Sequence, residues 1–306
     1  MGLLLLGSNE VMIYQTANFD KHAIDVSSMK QESTRWALVT GASTGIGRAT
    51  VEYLAVNGWS VYAGVRKQID QESLSHIEGI TPLLLDVSKQ DSVDTAIQEI
   101  TNRGTGLDAL VNNAGITLAG PLLSFNDAEM LEQFQVNFFG IHRVTRACFP
   151  MLRQSKGRIV MISSDSGFYS TPFFGPYCAS KFAVEGYADS LRRELQFIDI
   201  KVIIIEPGEI NTPIWDKGQA MVKRMEDHMD FPLADLGLKI GKYAIQKGKT
   251  RGILPIEVAK VVYKTITIDE PKARYLVTAK PFKYWMIRHL PAERVDKIMK
   301  KELLKE

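Results

Sequence analysis

Cysteine is scarce, with only Cys148 and Cys178 among 306 residues. With no CxxC pair the chain can assemble neither a disulfide framework nor a thiolate zinc site, and the two read as reduced core thiols. A surplus of one charge is also missing. The 37 basic and 35 acidic residues leave a formal +2, so no global field draws the chain to nucleic acid. Long apolar runs are missing as well. Leu3–Leu6 falls short of the roughly 7–15 residues of a signal-peptide core and far short of the roughly 18 needed to cross a bilayer, so a cytoplasmic protein is expected. The five histidines show neither HExxH nor paired-ligand spacing, and no GxSxG elbow is present. No metal site is expected, and the missing elbow argues against a hydrolase of the α/β class.

What is present is the composition of an ordinary globular chain, 45% hydrophobic and 24% charged. Residues 1–32 are mixed and aperiodic, and a chain starting at Met29 would lose nothing patterned. This segment is expected to be an N-terminal extension, disordered or a gene-model artefact. Beyond it, short apolar runs near 36–40, 60–65, 81–86, 108–112, 158–163, 201–206 and 274–277 alternate with helical patterns near 45–57, 89–102, 127–153, 175–197 and 255–267. Alternation of this kind predicts a Rossmann-type doubly wound α/β fold, with about seven parallel strands covered on both faces. Lys201-Val-Ile-Ile-Ile205 has no polar alternation, as a strand buried on both sides requires. The catalytic domain is expected over 33–280. Residues 212–253 interrupt the rhythm as a substrate lid, and 281–306 form a basic amphipathic tail broken at Pro291.

Directly after the first strand comes Thr40-Gly41-Ala42-Ser43-Thr44-Gly45-Ile46-Gly47, opening a helix. Glycines permit the sharp turn, the close approach of a pyrophosphate and tight helix packing. The helix N-terminus offers free N–H groups to the phosphates. Tyr177 and Lys181 stand four apart in a helical stretch, on one face, where an ammonium would stabilise a phenolate. Lowering a phenol pKa of about 10 by two to three units needs roughly 3–4 kcal/mol of differential interaction.

The glycine turn, Asp86-Val87, Asn112-Asn-Ala-Gly115, Asn137, Ser164, Tyr177-Cys-Ala-Ser-Lys181 and Pro207-Gly-Glu-Ile-Asn-Thr212 stand in one order over about 35–280. In this the chain resembles the short-chain dehydrogenase/reductase family of short-subunit type, and within it most resembles retinol- and hydroxysteroid-dehydrogenase-like members. The resemblance implies an NAD(P)-dependent oxidoreductase interconverting an alcohol and its carbonyl. In it Ser164 holds the substrate oxygen, Tyr177 exchanges the proton, Lys181 supports the phenol, and Asn137 holds a water linking the lysine to solvent. It also implies cofactor contacts from Gly41, Ser43, Thr44, Gly45, Ile46, Gly47, Asp86, Val87, Asn113, Ala114, Gly115, Tyr177, Lys181, Pro207, Gly208, Ile210 and Thr212, and a homodimer or homotetramer. For Asn112 a structural role is expected.

About 20 positions beyond the glycines, nicotinamide sites carry an acid for the ribose hydroxyls. Here that position is Val65, followed by Arg66, which favours NADP(H) over NAD(H) because a guanidinium can bind the 2′-phosphate. Phe168, Tyr169, Phe173 and Phe174, with Trp215, Met221, Met225, Met229 and Phe231, suit a lipophilic, retinoid- or steroid-like substrate, or else serve only to pack the lid on the core. A 3-ketoacyl reductase is the alternative within the same chemistry, against which the long lid and tail argue. A non-catalytic nucleotide-sensing or scaffold protein is the alternative of another class. The tail is expected to dock on its own domain or on a partner subunit, to close the substrate mouth, or to rest on a membrane surface.

Overall fold

A computed structural model describes residues 34–213, 222, 226 and 232–303. The expected N-terminal extension and Trp215, Met221, Met225, Met229 and Phe231 of the lid lie outside the described residues. Strands β1 (Trp36–Thr40), β2 (Ser60–Val65), β3 (Ile80–Leu84), β4 (Ala109–Asn112), β5 (Arg158–Ile162), β6 (Lys201–Pro207) and β7 (Arg274–Val277) form one sheet in the order β3-β2-β1-β4-β5-β6-β7. Every pairing is parallel. Chain order reverses between β1 and β4, and in such sheets the crevice beyond the strand C-termini at that reversal holds the ligand.

Alternate residues of each strand feed two cores. From β1, Leu38 joins Tyr62, Leu110 and Ile159 against helices α3 (Gln90–Arg103), α5 (Gly140–Ser155) and α6 (Gly175–Leu195). Ala37 and Val39 join Val61, Val111 and Ile205 on the other face, against α1 (Gly45–Val56) and α8 (Pro255–Thr267). With each large apolar side chain contributing about 1.5–3 kcal/mol on burial, a sheet covered on both sides needs the uninterrupted apolar strands read from the sequence. Cys148 and Cys178 are free and buried, and burial pushes the Cys148 thiol up.

Three features depart from the sequence reading. Helix α2 (Gln68–Ser75) went unread because it buries little besides Leu74 and so has almost no apolar period. The long helix expected over 127–153 is divided. After α4 (Asp127–Phe134), capped by a reciprocal Asn126–Glu129 box, a π-helical turn at Gln135–Phe139 leads into α5. Widening of this kind re-aims side chains, and the turn carries Asn137. Finally, the expected lid contains a long helix, α7 (Ala234–Arg251).

The tail is two helices, α9 (Pro281–His289) and α10 (Ala292–Leu303), separated at Pro291 as expected. It docks on the sheet. Tyr284 is buried, and Arg288 donates to the buried Glu206 carboxylate at the end of β6 over 2.7 Å while stacking on Phe168 at 3.8 Å. A buried carboxylate strongly needs such a partner, so α9 is anchored by chemistry as well as packing.

Candidate active site

The glycine turn takes its shape from close packing. Gly41 and Gly45 have positive φ, +66° and +58°, which side chains rarely adopt. A Cβ on Gly47 would lie 2.2 Å from the Gly41 carbonyl oxygen and 2.5 Å from Asn113 Nδ2, so this residue sits beneath the turn. Asn113 donates from Nδ2 to the carbonyls of Thr40 and Gly41, at 2.9 and 3.1 Å, and the Thr40 hydroxyl accepts from the Asn113 and Ala114 amides, at 3.0 Å each. The turn is thereby stapled to the end of β4. Thr40 stands first in the turn motif, but its stapling role could not be read there because its partners lie more than seventy residues away.

Thr44 caps α1 in an extended conformation with no side-chain capping bond, which leaves the helix N-terminus unused by its own cap. Gly47→Ala is expected to remove about 1–3 kcal/mol of stability by overpacking and to lower dinucleotide affinity with it. Urea unfolding and a nicotinamide fluorescence titration would read both losses, and a variant as stable and as tight as the parent would show that the turn has room.

One cavity of about 870 Å³ runs along the strand ends. It brings together Gly41, Ser43, Thr44, Gly45 and Ile46 from the turn, and Asn113, Ala114 and Gly115 after β4. Arg66, Asp86 and Val87 line it beyond β2 and β3. Ser164, Tyr177 and Lys181 line it beside Pro207, Gly208, Ile210 and Thr212. Gly47 and Asn137 are absent from its wall. Arg66 is exposed at the rim, near Lys67 and the Asp70 of α2. Burial raises the Asp86 carboxyl, but bonds from the Ser88 hydroxyl and amide and the Arg66 and Lys89 charges outweigh it and hold it below the usual range. Val87 is buried and abuts Gly140, whose added Cβ would meet it at 2.7 Å. Thr212 lies over Gly45, and Ile210 bridges to Ile253. Asn112 is buried and donates to Thr145 at 3.0 Å, away from the cavity wall.

Ser164 follows β5 and is buried. Its hydroxyl donates to Asp165 Oδ1 at 2.9 Å and accepts from the Ser166 amide at 3.1 Å. Lys181, also buried, donates from Nζ to the Ile162 carbonyl at 2.7 Å and lies 5.7 Å from the Tyr177 ring centre. Burial lowers Lys181 to about 8, against a smaller opposing pull from Glu185.

Burial raises the Tyr177 phenol, opposed by the neighbouring Ser164 hydroxyl.

Asn137 is fully buried. Its Nδ2 donates to the Ile116 carbonyl and to Ser180 Oγ, both at 3.0 Å, and its Oδ1 accepts from the Ile116 amide at 2.9 Å. One turn earlier Gln133 does the same for the Leu118 amide and the Ile116 carbonyl, at 2.8 Å each. Two amides four residues apart in an apolar helix were a legible sign of a buried polar ladder, and only Asn137 was picked out from it.

Of the expected aromatic wall, Tyr169 and Phe174 line the cavity. Phe168 instead faces Tyr284 and Arg288, and Phe173 packs on Ile240 with a positive φ of 67°. From the tail, Tyr284, Met299 and Leu303 take their place, since the docked helices close that end.

A family model described as short chain dehydrogenase matches residues 35–223. The chain belongs to this family. An NADPH-dependent 3-dehydrocapnine reductase of Ornithobacterium rhinotracheale is 35% identical over 282 residues, covering 89% of this chain and 98% of that protein. A 3-ketodihydrosphingosine reductase of Bacteroides thetaiotaomicron is 33% identical over 240 residues, covering 78% and 85%. Among solved structures, a short-chain dehydrogenase from Streptomyces avermitilis superposes with a TM-score of 0.72 at 25% identity, covering 90% of this chain and 96% of that one. This short-chain dehydrogenase is accordingly an NAD(P)-dependent oxidoreductase with the parallel Rossmann-type sheet of its relatives.

Proposed function

We propose that this short-chain dehydrogenase is an NADPH-preferring reductase of a lipophilic ketone or aldehyde, with Ser164, Tyr177 and Lys181 as its catalytic residues. The observation that carries the reading is the opening of all three side chains into the same cavity as the glycine turn. The dinucleotide fits the residues present. Gly41 and Gly45, which line the cavity, hold the positive φ of the turn, the α1 N-terminus is uncapped by Thr44, and Arg66 stands at the end of β2 as a partner for a 2′-phosphate.

Gly41 to Ile46 would hold the pyrophosphate, Asp86 and Val87 the adenine end, and Pro207 to Thr212 with Lys181 the nicotinamide end. When bound, the reduced dinucleotide supplies hydride to the carbonyl carbon. Ser164 and Tyr177 then converge on the carbonyl oxygen, and Tyr177 gives it the proton. Burial raises the Tyr177 phenol and so holds it in the neutral form that a proton donor requires. Lys181 keeps a charge near that phenol through its hold on Ile162. Asn137, with both side-chain donors spent on Ile116 and Ser180, acts by positioning α6 beneath Tyr177.

The cavity wall of Tyr169, Phe174, Met299 and Leu303 suits an apolar chain or ring. The two relatives are named for a 3-dehydro and a 3-keto compound, the latter a lipid ketone, and neither name is that of a retinol or a steroid. We therefore place a lipid-like ketone ahead of the retinoid or steroid that the sequence resemblance suggests. Oxidation of NADPH and NADH against ketones of graded chain length tests the reading. Turnover that rises with chain length and prefers NADPH supports it, and none with any carbonyl would leave the nucleotide-sensing alternative. Assembly as a homodimer or homotetramer belongs to the same proposal and is read by light scattering.

The outward face of the tail supports peripheral contact with an anionic membrane. Phe282 and Trp285, 69% and 57% exposed, stack at 5.9 Å, with Lys297, Lys300 and Lys301 exposed on the neighbouring helix. No described helix is long and apolar enough to cross a membrane. Replacing Phe282 and Trp285 by Ser is expected to cut co-sedimentation with phosphatidylserine vesicles by about tenfold, on the order of 1.4 kcal/mol of lost apolar contact. Unchanged sedimentation would remove the membrane from the proposal.

A further inference from the structure

The cavity is lined by acids as well as by its apolar wall. Asp70 and Asp86 stand at the Arg66 end, and Glu302 is paired with Lys283 at 3.0 Å. Asp165 differs from these. It directly follows Ser164, is partly buried, and lines the cavity. Two hydroxyls bond its side chain, from Ser164 at 2.9 Å and from Ser166 at 3.3 Å, and both reach Oδ1. Oδ2 is left on the side of Gly208, also in the cavity wall, where an added Cβ would stand 3.6 Å from it. Among the described residues no lysine, arginine or histidine forms an ion pair with this carboxylate, and Lys181 is spent on the Ile162 carbonyl. Burial raises the carboxyl. A carboxylate withdrawn from water and held by neutral donors is short of positive charge, which a cation entering the cavity would supply.

Resting on the reading of the site as a reductase of lipophilic ketones, we propose that Asp165 is a specificity-determining residue, which takes an ammonium carried on the carbon beside the substrate carbonyl and makes amino ketones the preferred class. A carbonyl oxygen held by Ser164 lies about 2.7–2.8 Å from that hydroxyl, and Asp165 Oδ1 lies 2.9 Å from it on its own side. The two oxygens thus adjoin one atom. An ammonium on the neighbouring carbon stands two bonds from the reacting carbon, a span that suits it to bridge from the held carbonyl to the carboxylate. The apolar wall of Tyr169, Phe174, Met299 and Leu303 then takes the rest of the chain.

Two substrates separate the possibilities, a decanone with an ammonium on the carbon beside its carbonyl and the isosteric ketone with a methyl group in its place. With NADPH, the parent enzyme is expected to favour the first by about 10-fold or more in kcat/KM, as a hydrogen bond to a charged group would give. Asp165→Asn keeps the shape and an oxygen for the Ser164 proton while removing the charge. It should bring the two ketones within about threefold of each other, with the rate on the methyl ketone, the dissociation constant for NADPH and the thermal midpoint close to those of the parent. Asp165→Ser, which also lacks the charge, is measured beside it and must lose the same preference. Equal use of the two ketones by the parent, or a preference that survives both substitutions, would overturn the proposal. Weakened NADPH binding in both variants would assign the carboxylate to the nicotinamide end and overturn it as well. If the parent reduces no ketone at all, the reading of the site as a ketone reductase fails, whereas reduction of the methyl ketone alone refutes only the role of Asp165.

Discussion

Tyr177→Phe is expected to lower turnover by about 10²- to 10⁴-fold, the range that a positioned general acid contributes, while NADPH still binds. Phenylalanine keeps the ring above Lys181 and between the packed groups of α6, so the cavity keeps its shape. On the proposed mechanism, what disappears is the hydroxyl whose proton follows the bond change at the carbonyl carbon, leaving Ser164 to polarise the oxygen without protonating it. Loss of absorbance at the nicotinamide band measures turnover, and a fluorescence titration measures cofactor affinity. A variant that turns over at the parental rate would refute the proton-donor role and with it the proposed mechanism. A variant that is inactive because it no longer binds NADPH would place Tyr177 in cofactor binding alone.

Arg66→Ile is expected to lower the ratio of NADPH to NADH efficiency by roughly 10- to 150-fold, the equivalent of the roughly 1.5–3 kcal/mol of a charge-assisted contact. Arg66 is exposed, so its removal costs the fold little. Adding an acid at Val65 to favour NADH is the less clean experiment. Val65 is 1% exposed and packs in the core beneath α1, where an aspartate would bury a carboxylate. Comparison of kcat/KM for both cofactors reads the shift. A parent enzyme that already prefers NADH would show that Arg66, with Asp70 on the same rim, does not select the phosphate.

How far the residues could be read follows from how each element is held. The strands and the helices α1, α3, α6 and α8 declared themselves because each buries a long apolar face. Helix α2, which buries little besides Leu74, could not. Tyr177 and Lys181 were legible as a pair because helical spacing places them on one face. Phe168 and Phe173 could be read as cavity wall or as packing of the lid on the core, because nothing in their local spacing says that one turns to the tail and the other to α7.

By itself the sequence determined the parallel sheet, the glycine turn at the strand crossover and the order of the site motifs. These depend on local period, on turn chemistry and on strands that must be apolar on both faces. The tertiary structure decided what those groups do to one another. It spends both Asn137 side-chain donors on Ile116 and Ser180, aims Lys181 at the Ile162 carbonyl, and surrounds Tyr177 so that burial raises its phenol. It also brings Tyr284 of the tail to the wall of the same cavity, by docking α9 through Arg288 and Glu206, 82 residues apart in the chain. Such contacts depend on which faces pack together and on which buried polar groups must then find partners, and neither is written in the period of any single segment.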